Sequence, residues 1–157
     1  MHGSLNRLPM LTSRIALAHI IEWLIPERLF PLFLFVAGAL GALVRYGLAS
    51  RIQPVHGVGF PWDILVVNAV GCLVFGFFWS FSTGGRQASR FIQLVVLIGF
   101  LGSFTTFATF AFDNVDLARS NRWLAAAVNL TLLNLLSFVA LAIGIYLASV
   151  VKKTPKL

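Results

Sequence analysis

Very little of this chain can carry charge or redox chemistry: of 157 residues, five are acidic, three are histidine and one is cysteine. His2, His19 and His56 lie in the N-terminal stretch and first loop with no carboxylate or thiol companion, so no metal-ligand cluster is expected. Cys72 has no second thiol in the chain to pair with and reads as a small apolar packing residue. No phosphate-binding glycine loop is present. Ser103 and Ser137 stand in apolar runs without a histidine or acid beside them, which argues against an intramembrane enzyme. A proton-coupled transporter usually buries a Glu or Asp as carrier. Here Glu22 and Glu27 precede the first long apolar run, and Asp63, Asp113 and Asp116 fall near the ends of later ones.

What the chain has in excess is apolar length. At 59% hydrophobic and 11% charged residues, with a mean hydropathy of +0.90, it cannot cover a soluble globule and reads as an all-α integral membrane protein. Four runs reach the roughly 20 residues needed to cross hydrocarbon: 31–50, 62–82, 91–112 and 123–151. Four helices with short loops enclose little space, so a pore requires a second copy. Residues 1–30 mix Arg7, Arg14, Glu22 and Arg28 with Leu11, Ile15, Trp23 and Leu24, which fits an interfacial amphipathic segment better than a cleaved signal peptide. Residues 152–157 form a basic tail.

The net charge of +7 is spread over segment ends, with no basic stripe interleaved with aromatics, so membrane topology explains it better than nucleic acid. One side holds Arg7, Arg14, Arg28, Arg86, Arg90, Lys152, Lys153 and Lys156; the other holds Arg45, Arg51, Arg119 and Arg122. Two of those eight lie in the N-terminal extension, and without them the bias is too weak to fix one orientation. Insertion in either sense follows.

Polar residues inside the spans mark the candidate site. Gly38, Gly41 and Ala42 put small residues on one face of the first span, and Arg45 is either a helix-end anchor or a vestibule charge. Asn68 shares a face with Gly71, Cys72, Phe75 and Gly76, and serves either as interhelical glue or as a donor to a permeating species. On the fourth span Asn129, Asn134 and Ser137 fall within about 140° of arc, making one polar stripe. The densest signal is residues 99–110, where glycines, hydroxyls and four phenylalanines interrupt an apolar segment; in hydrocarbon such a break is tolerated only where protein or water satisfies it. A break at Gly102–Thr106 would leave half-helix carbonyls able to hold a cation. Hydroxyl and amide hydrogens with aromatic edges suit a small anion, although the phenylalanines also read as lipid-facing filler.

These residues resemble the Fluc (CrcB) fluoride channels over about residues 32–149. The strongest match is Gly99-x-x-Gly102-x-Phe104-Thr105-Thr106-Phe107-x-Thr109-Phe110, like the family's signature in its broken third helix. Gly38-x-x-Gly41-Ala42-x-x-Arg45-Tyr46, Val67-Asn68-x-x-Gly71, and Arg122-Trp123 with Asn129 and Ser137 support it in the same order.

The resemblance implies four transmembrane helices per subunit, an antiparallel dual-topology homodimer in the bacterial inner membrane, two pores, passive fluoride export and a central structural Na⁺. By position, the carbonyls of Gly102 and Thr105 would hold Na⁺, Phe107 and Phe110 would line the fluoride path by their edges, and Asn68 would donate to the anion. Thr106, Thr109, Asn129, Asn134 and Ser137 would belong to the polar track, with Arg45 and Asp113 at vestibules. The chain departs from the pattern at Ala108, where Ser is usual, at Asp63-Ile64, where Gly-Thr is common, and at Leu133, often polar. Two alternatives follow: a non-conducting partner in a heterodimer, and a small dual-topology drug or cation exporter. The latter should carry an acid in the first span, and 31–50 has none.

Overall fold

The computed structural model describes residues 27–53, 59–82 and 90–153. All but the last four residues of the expected interfacial segment lie outside the described residues, as do His56, Arg86 and Lys156.

After a 3-10 turn at Glu27–Leu29, α1 runs Phe30–Ile52, with Pro31 in its first turn where no helical N–H partner is lost. Then come α2 (Trp62–Ser82), α3 (Ile92–Leu101 continuing through Gly102–Phe104), α4 (Phe107–Arg119) and α5 (Trp123–Lys153). Helices α1, α2 and α5 each exceed the length needed to span hydrocarbon, and α3 with α4 forms a fourth span, Ile92–Arg119. The fold is therefore all-helical with four long apolar spans.

The bundle is centred on α2. It buries Asp63, Ile64, Leu65, Val67, Asn68, Gly71 and Gly76, whereas α1 buries only Ala37, Gly41 and Ala49. Its most extensive packing is with α5, and small residues make that possible: a Cβ on Gly76 would run into the Leu141 carbonyl, and one on Gly144 into the Leu73 carbonyl. The two backbones thus lie in direct contact, as helices do where hydrocarbon supplies no hydrophobic driving force. The core joins Ala49, Val67, Leu97, Leu101 and Phe104.

The third span is interrupted inside the expected stretch 102–106, at its last two residues. Gly102 is helical (φ −63°, ψ −31°), and the chain leaves the helix only at Thr105 (φ −80°, ψ 152°) and Thr106 (φ −144°, ψ 114°). The helix before it is wound as a π-helix over Ile92–Leu101, with the Gly102 N–H reaching back to the Leu97 carbonyl. A three-residue turn with Asn121 at φ 59° reverses α4 into α5.

Candidate ion site at the break in the third span

The break forms because other groups take over the hydrogen bonds that a continuous helix would use. The Thr106 N–H, whose helical acceptor would be the Gly102 carbonyl, instead donates to Asn68 Oδ1 at 3.1 Å. Asn68 Nδ2 donates to the Ile64 carbonyl (2.8 Å) and the Thr106 carbonyl (3.4 Å), so one amide grips both sides of the Thr106 backbone. On the preceding side, the Leu101 carbonyl accepts both the Thr105 N–H at 3.0 Å, the last helical bond of the first half, and Thr105 Oγ1 at 2.9 Å. On the following side, Thr106 caps α4: its Oγ1 accepts from the Thr109 N–H at 3.3 Å and lies 3.0 Å from Thr109 Oγ1. Gly71 gives the break its room, since a Cβ there would strike the Thr105 methyl and stand 3.2 Å from the Phe104 ring.

Asn68, Thr105, Thr106 and Thr109 are thereby brought together, with Asn68 8% exposed. Phe107 and Phe110 follow on α4 with ring centroids 5.7 Å apart at 56°. They differ sharply in setting: Phe107 is 77% exposed on the subunit surface, and Phe110 is 3% exposed against Ile64 and Leu133. Gly102 is exposed, and its carbonyl has lost the Thr106 N–H. The N–H groups of the first turn of α4 point back toward the break, favouring negative charge.

The stripe expected on the fourth span divides. Asn129 is 1% exposed, and its Nδ2 and Oδ1 are both buried with no hydrogen-bond partner among the described residues. Phe110 of α4 meets Leu133 of α5, so Asn129 lies one turn from that contact, toward the α4–α5 turn. Ser137 is half-buried, whereas Asn134 faces outward and returns its Nδ2 to the Leu130 carbonyl at 2.6 Å. Asn134 is not brought to the break.

Arg45 and Asp113 occupy different places. Arg45 reaches the break itself, donating from Nε to the Ser103 carbonyl at 3.2 Å. Asp113 lines a pocket of about 30 Å³ with Asp63, Asp116, Gln53, Ser120 and Arg122, at the membrane face shared by the start of α2 and the end of α4. Arg122 Nη1 donates there to the Gly59 carbonyl at 2.9 Å.

Two participants escaped sequence reasoning. Ser103 contributes its carbonyl rather than its hydroxyl, and only the recurrence of Gly38, Gly41 and Arg45 on one face of α1 hinted that this helix would reach it. Asn114 donates from Nδ2 to the Phe110 carbonyl at 2.7 Å while its buried Oδ1 has no partner among the described residues; no spacing signal marked it.

Comparison with known proteins identifies the family. A protein of Desulforapulum autotrophicum described as "Fluoride-specific ion channel FluC" is 42% identical over 119 residues, covering 76% of this chain and 95% of its own length. Proteins of the same description from Nitrosococcus oceani (39% over 116 residues, 74% and 93%) and Solidesulfovibrio magneticus (39% over 119 residues, 76% and 95%) are similar to it as well. Residues 32–145, which contain all four spans but the first two residues of α1 and the last turns of α5, match the family described as "CrcB-like protein, Camphor Resistance (CrcB)". The chain belongs to that CrcB family.

Proposed function

We propose that this chain, a multi-pass protein of a bacterial cell membrane, is the subunit of a passive fluoride channel and not an enzyme. The observation that carries the reading is the break at Thr105–Thr106, held by Asn68 and flanked by neutral donors and the Phe107–Phe110 pair. The relatives described as fluoride-specific channels support it.

Dehydrating a small anion is costly, and neutral hydroxyl, amide and backbone N–H donors can replace its water without trapping it as a fixed positive charge would. The Thr106–Thr109 pair, in which one hydroxyl donates to the other, has one further O–H to offer, the first turn of α4 supplies N–H groups other than that of Thr109, and Asn68 fixes their alignment through the Thr106 backbone. Phe107 and Phe110 offer ring edges, the positive rim of the aromatic quadrupole, where a face would repel an anion. Asn129 continues the path beyond Phe110: a buried amide with neither atom satisfied costs on the order of 2 kcal/mol or more, a penalty a permeating ion or water would relieve.

A subunit of four spans lacks the width for a pore, and α4 leaves Phe107 and Phe112 uncovered. Two chains inserted in opposite senses, in keeping with the weak charge bias, would form the working unit with two equivalent paths. The carbonyl of Gly102, an exposed residue, is deprived of its helical donor and suits a shared Na⁺. With Thr105 and the same atoms of the second copy it would hold that ion, which would supply a fixed charge pinning the broken helices.

The test is efflux from liposomes containing only this purified chain. Fast F⁻ release without Cl⁻ release is the expected result. Release of both ions equally would overturn fluoride selectivity, and no release from a folded dimer would favour the non-conducting partner reading.

A further inference from the structure

Opening the third span deprives the last carbonyls of its first half of helical donors, among them those of Gly102 and Ser103, and the fates of these two differ. Gly102 is an exposed residue, and its carbonyl loses the Thr106 N–H to Asn68. The Ser103 carbonyl loses the Phe107 N–H, which the extended Thr105 and Thr106 carry away, and accepts instead from Arg45 Nε at 3.2 Å.

We infer that Arg45 is a positioning residue: it holds the break open by replacing the missing helical donor at Ser103, and does not act as a charge that draws anions into a vestibule. Its consequence for transport rests on the fluoride-channel reading above. Three positions on one face of α1 converge on the break. Gly38 lies against Ser103, where a Cβ would stand 3.2 Å from Oγ, and Gly41 abuts the Phe100 backbone. Arg45 follows one turn on, along the same stripe, brought by that close approach to the Ser103 carbonyl. A carbonyl stranded in a poorly hydrated break favours re-forming the continuous helix, since an unpaired backbone group there is costly. A charge-assisted donor removes that incentive, and the α4 cap at Thr106 and Thr109 keeps its alignment.

The donating atom suggests a decisive substitution. Glutamine carries its amide nitrogen at the same point along the side chain as arginine Nε, after Cβ, Cγ and Cδ. Arg45→Gln therefore keeps the donor and removes the charge; Arg45→Lys keeps the charge and shifts the nitrogen one atom outward; Arg45→Met keeps neither. Each is read by F⁻ efflux from liposomes and by amide hydrogen exchange across residues 101–109 in the intact protein. The expected result is Arg45→Gln within about threefold of wild type in both readouts, with Arg45→Met at least tenfold slower in efflux and faster in exchange at the break alone. Loss of efflux and of protection in Arg45→Gln, whatever Arg45→Lys does, overturns the inference. If Arg45→Met does not fold, Arg45→Gln still decides. If the wild-type chain passes no fluoride, the fluoride reading fails by itself, while the exchange arm still tests whether Arg45 holds the break.

Discussion

Replacing Asn68 with Ala should close the break without dismantling the bundle. The amide makes three contacts of unequal weight. Its bond to the Ile64 carbonyl is redundant, because that carbonyl already has the Asn68 N–H as its helical donor. Its 3.4 Å contact to the Thr106 carbonyl is long. The 3.1 Å bond from the Thr106 N–H to Oδ1 is the one whose loss matters, since it leaves a half-buried backbone donor unpaired at a cost of about 1–3 kcal/mol. That donor can recover a partner by rotating Thr105 back to helical ψ and rejoining the Gly102 carbonyl, so the penalty becomes a driving force toward a continuous third span. A shift of that size changes the open-to-closed ratio roughly 5- to 150-fold. Asn68→Ala should lower F⁻ efflux by about tenfold or more, with the protein eluting as wild type does and exchange altered at Thr106. Asn68→Asp, which keeps an acceptor for Thr106 but places a carboxylate beside the path, should lose efflux while preserving Thr106 protection. Wild-type efflux together with unchanged Thr106 exchange in Asn68→Ala would mean that Asn68 does not hold the break open.

Three other substitutions separate packing from transport. Asn129→Leu removes two buried polar atoms that have no partner among the described residues, so the melting temperature should hold or rise by a few degrees while efflux falls about tenfold; a lower melting temperature with normal efflux would mean the amide is structural. Gly144→Ala places a Cβ against the Leu73 carbonyl and 2.9 Å from the Phe77 nitrogen, overpacking that should cost about 1–3 kcal/mol and appear as a lower unfolding temperature; unchanged stability would contradict the α2–α5 contact. Ala108→Ser adds a hydroxyl at an exposed position in the first turn of α4 and should keep assembly and maintain or raise efflux, whereas a sharp fall would place the anion elsewhere.

The four spans were legible because apolar length in hydrocarbon is a nearly local property, and the interruption was legible because Gly102, Thr105 and Thr106 stand where lipid would not tolerate them. Its exact position was not. It depends on the Thr105 hydroxyl folding back onto Leu101 and on Asn68, 38 residues away, competing for the Thr106 backbone. The π-winding of Ile92–Leu101 left no trace in composition either. On the fourth span the angular spacing grouped Asn134 with Asn129 correctly as geometry, yet an arc of about 140° is wide enough for α5 to bury one edge and expose the other. For Asn68 the choice between glue and donor dissolves: it holds α2 to the break by gripping the backbone that presents the donors. Arg45 had to end on some acceptor, but a carbonyl freed only by a break elsewhere in the chain cannot be read from spacing.

The most direct test of the account is F⁻ efflux from liposomes carrying the Phe107→Ile chain beside wild type, with Cl⁻ efflux as control. Phe107 is 77% exposed in the subunit, so losing its ring removes little internal packing, and a change in flux reports on the path. The account predicts an intact dimer whose F⁻ efflux drops tenfold or more while Cl⁻ stays at background. An intact dimer with undiminished F⁻ efflux would show that the ring is surface filler and that fluoride does not pass the Phe107–Phe110 edge.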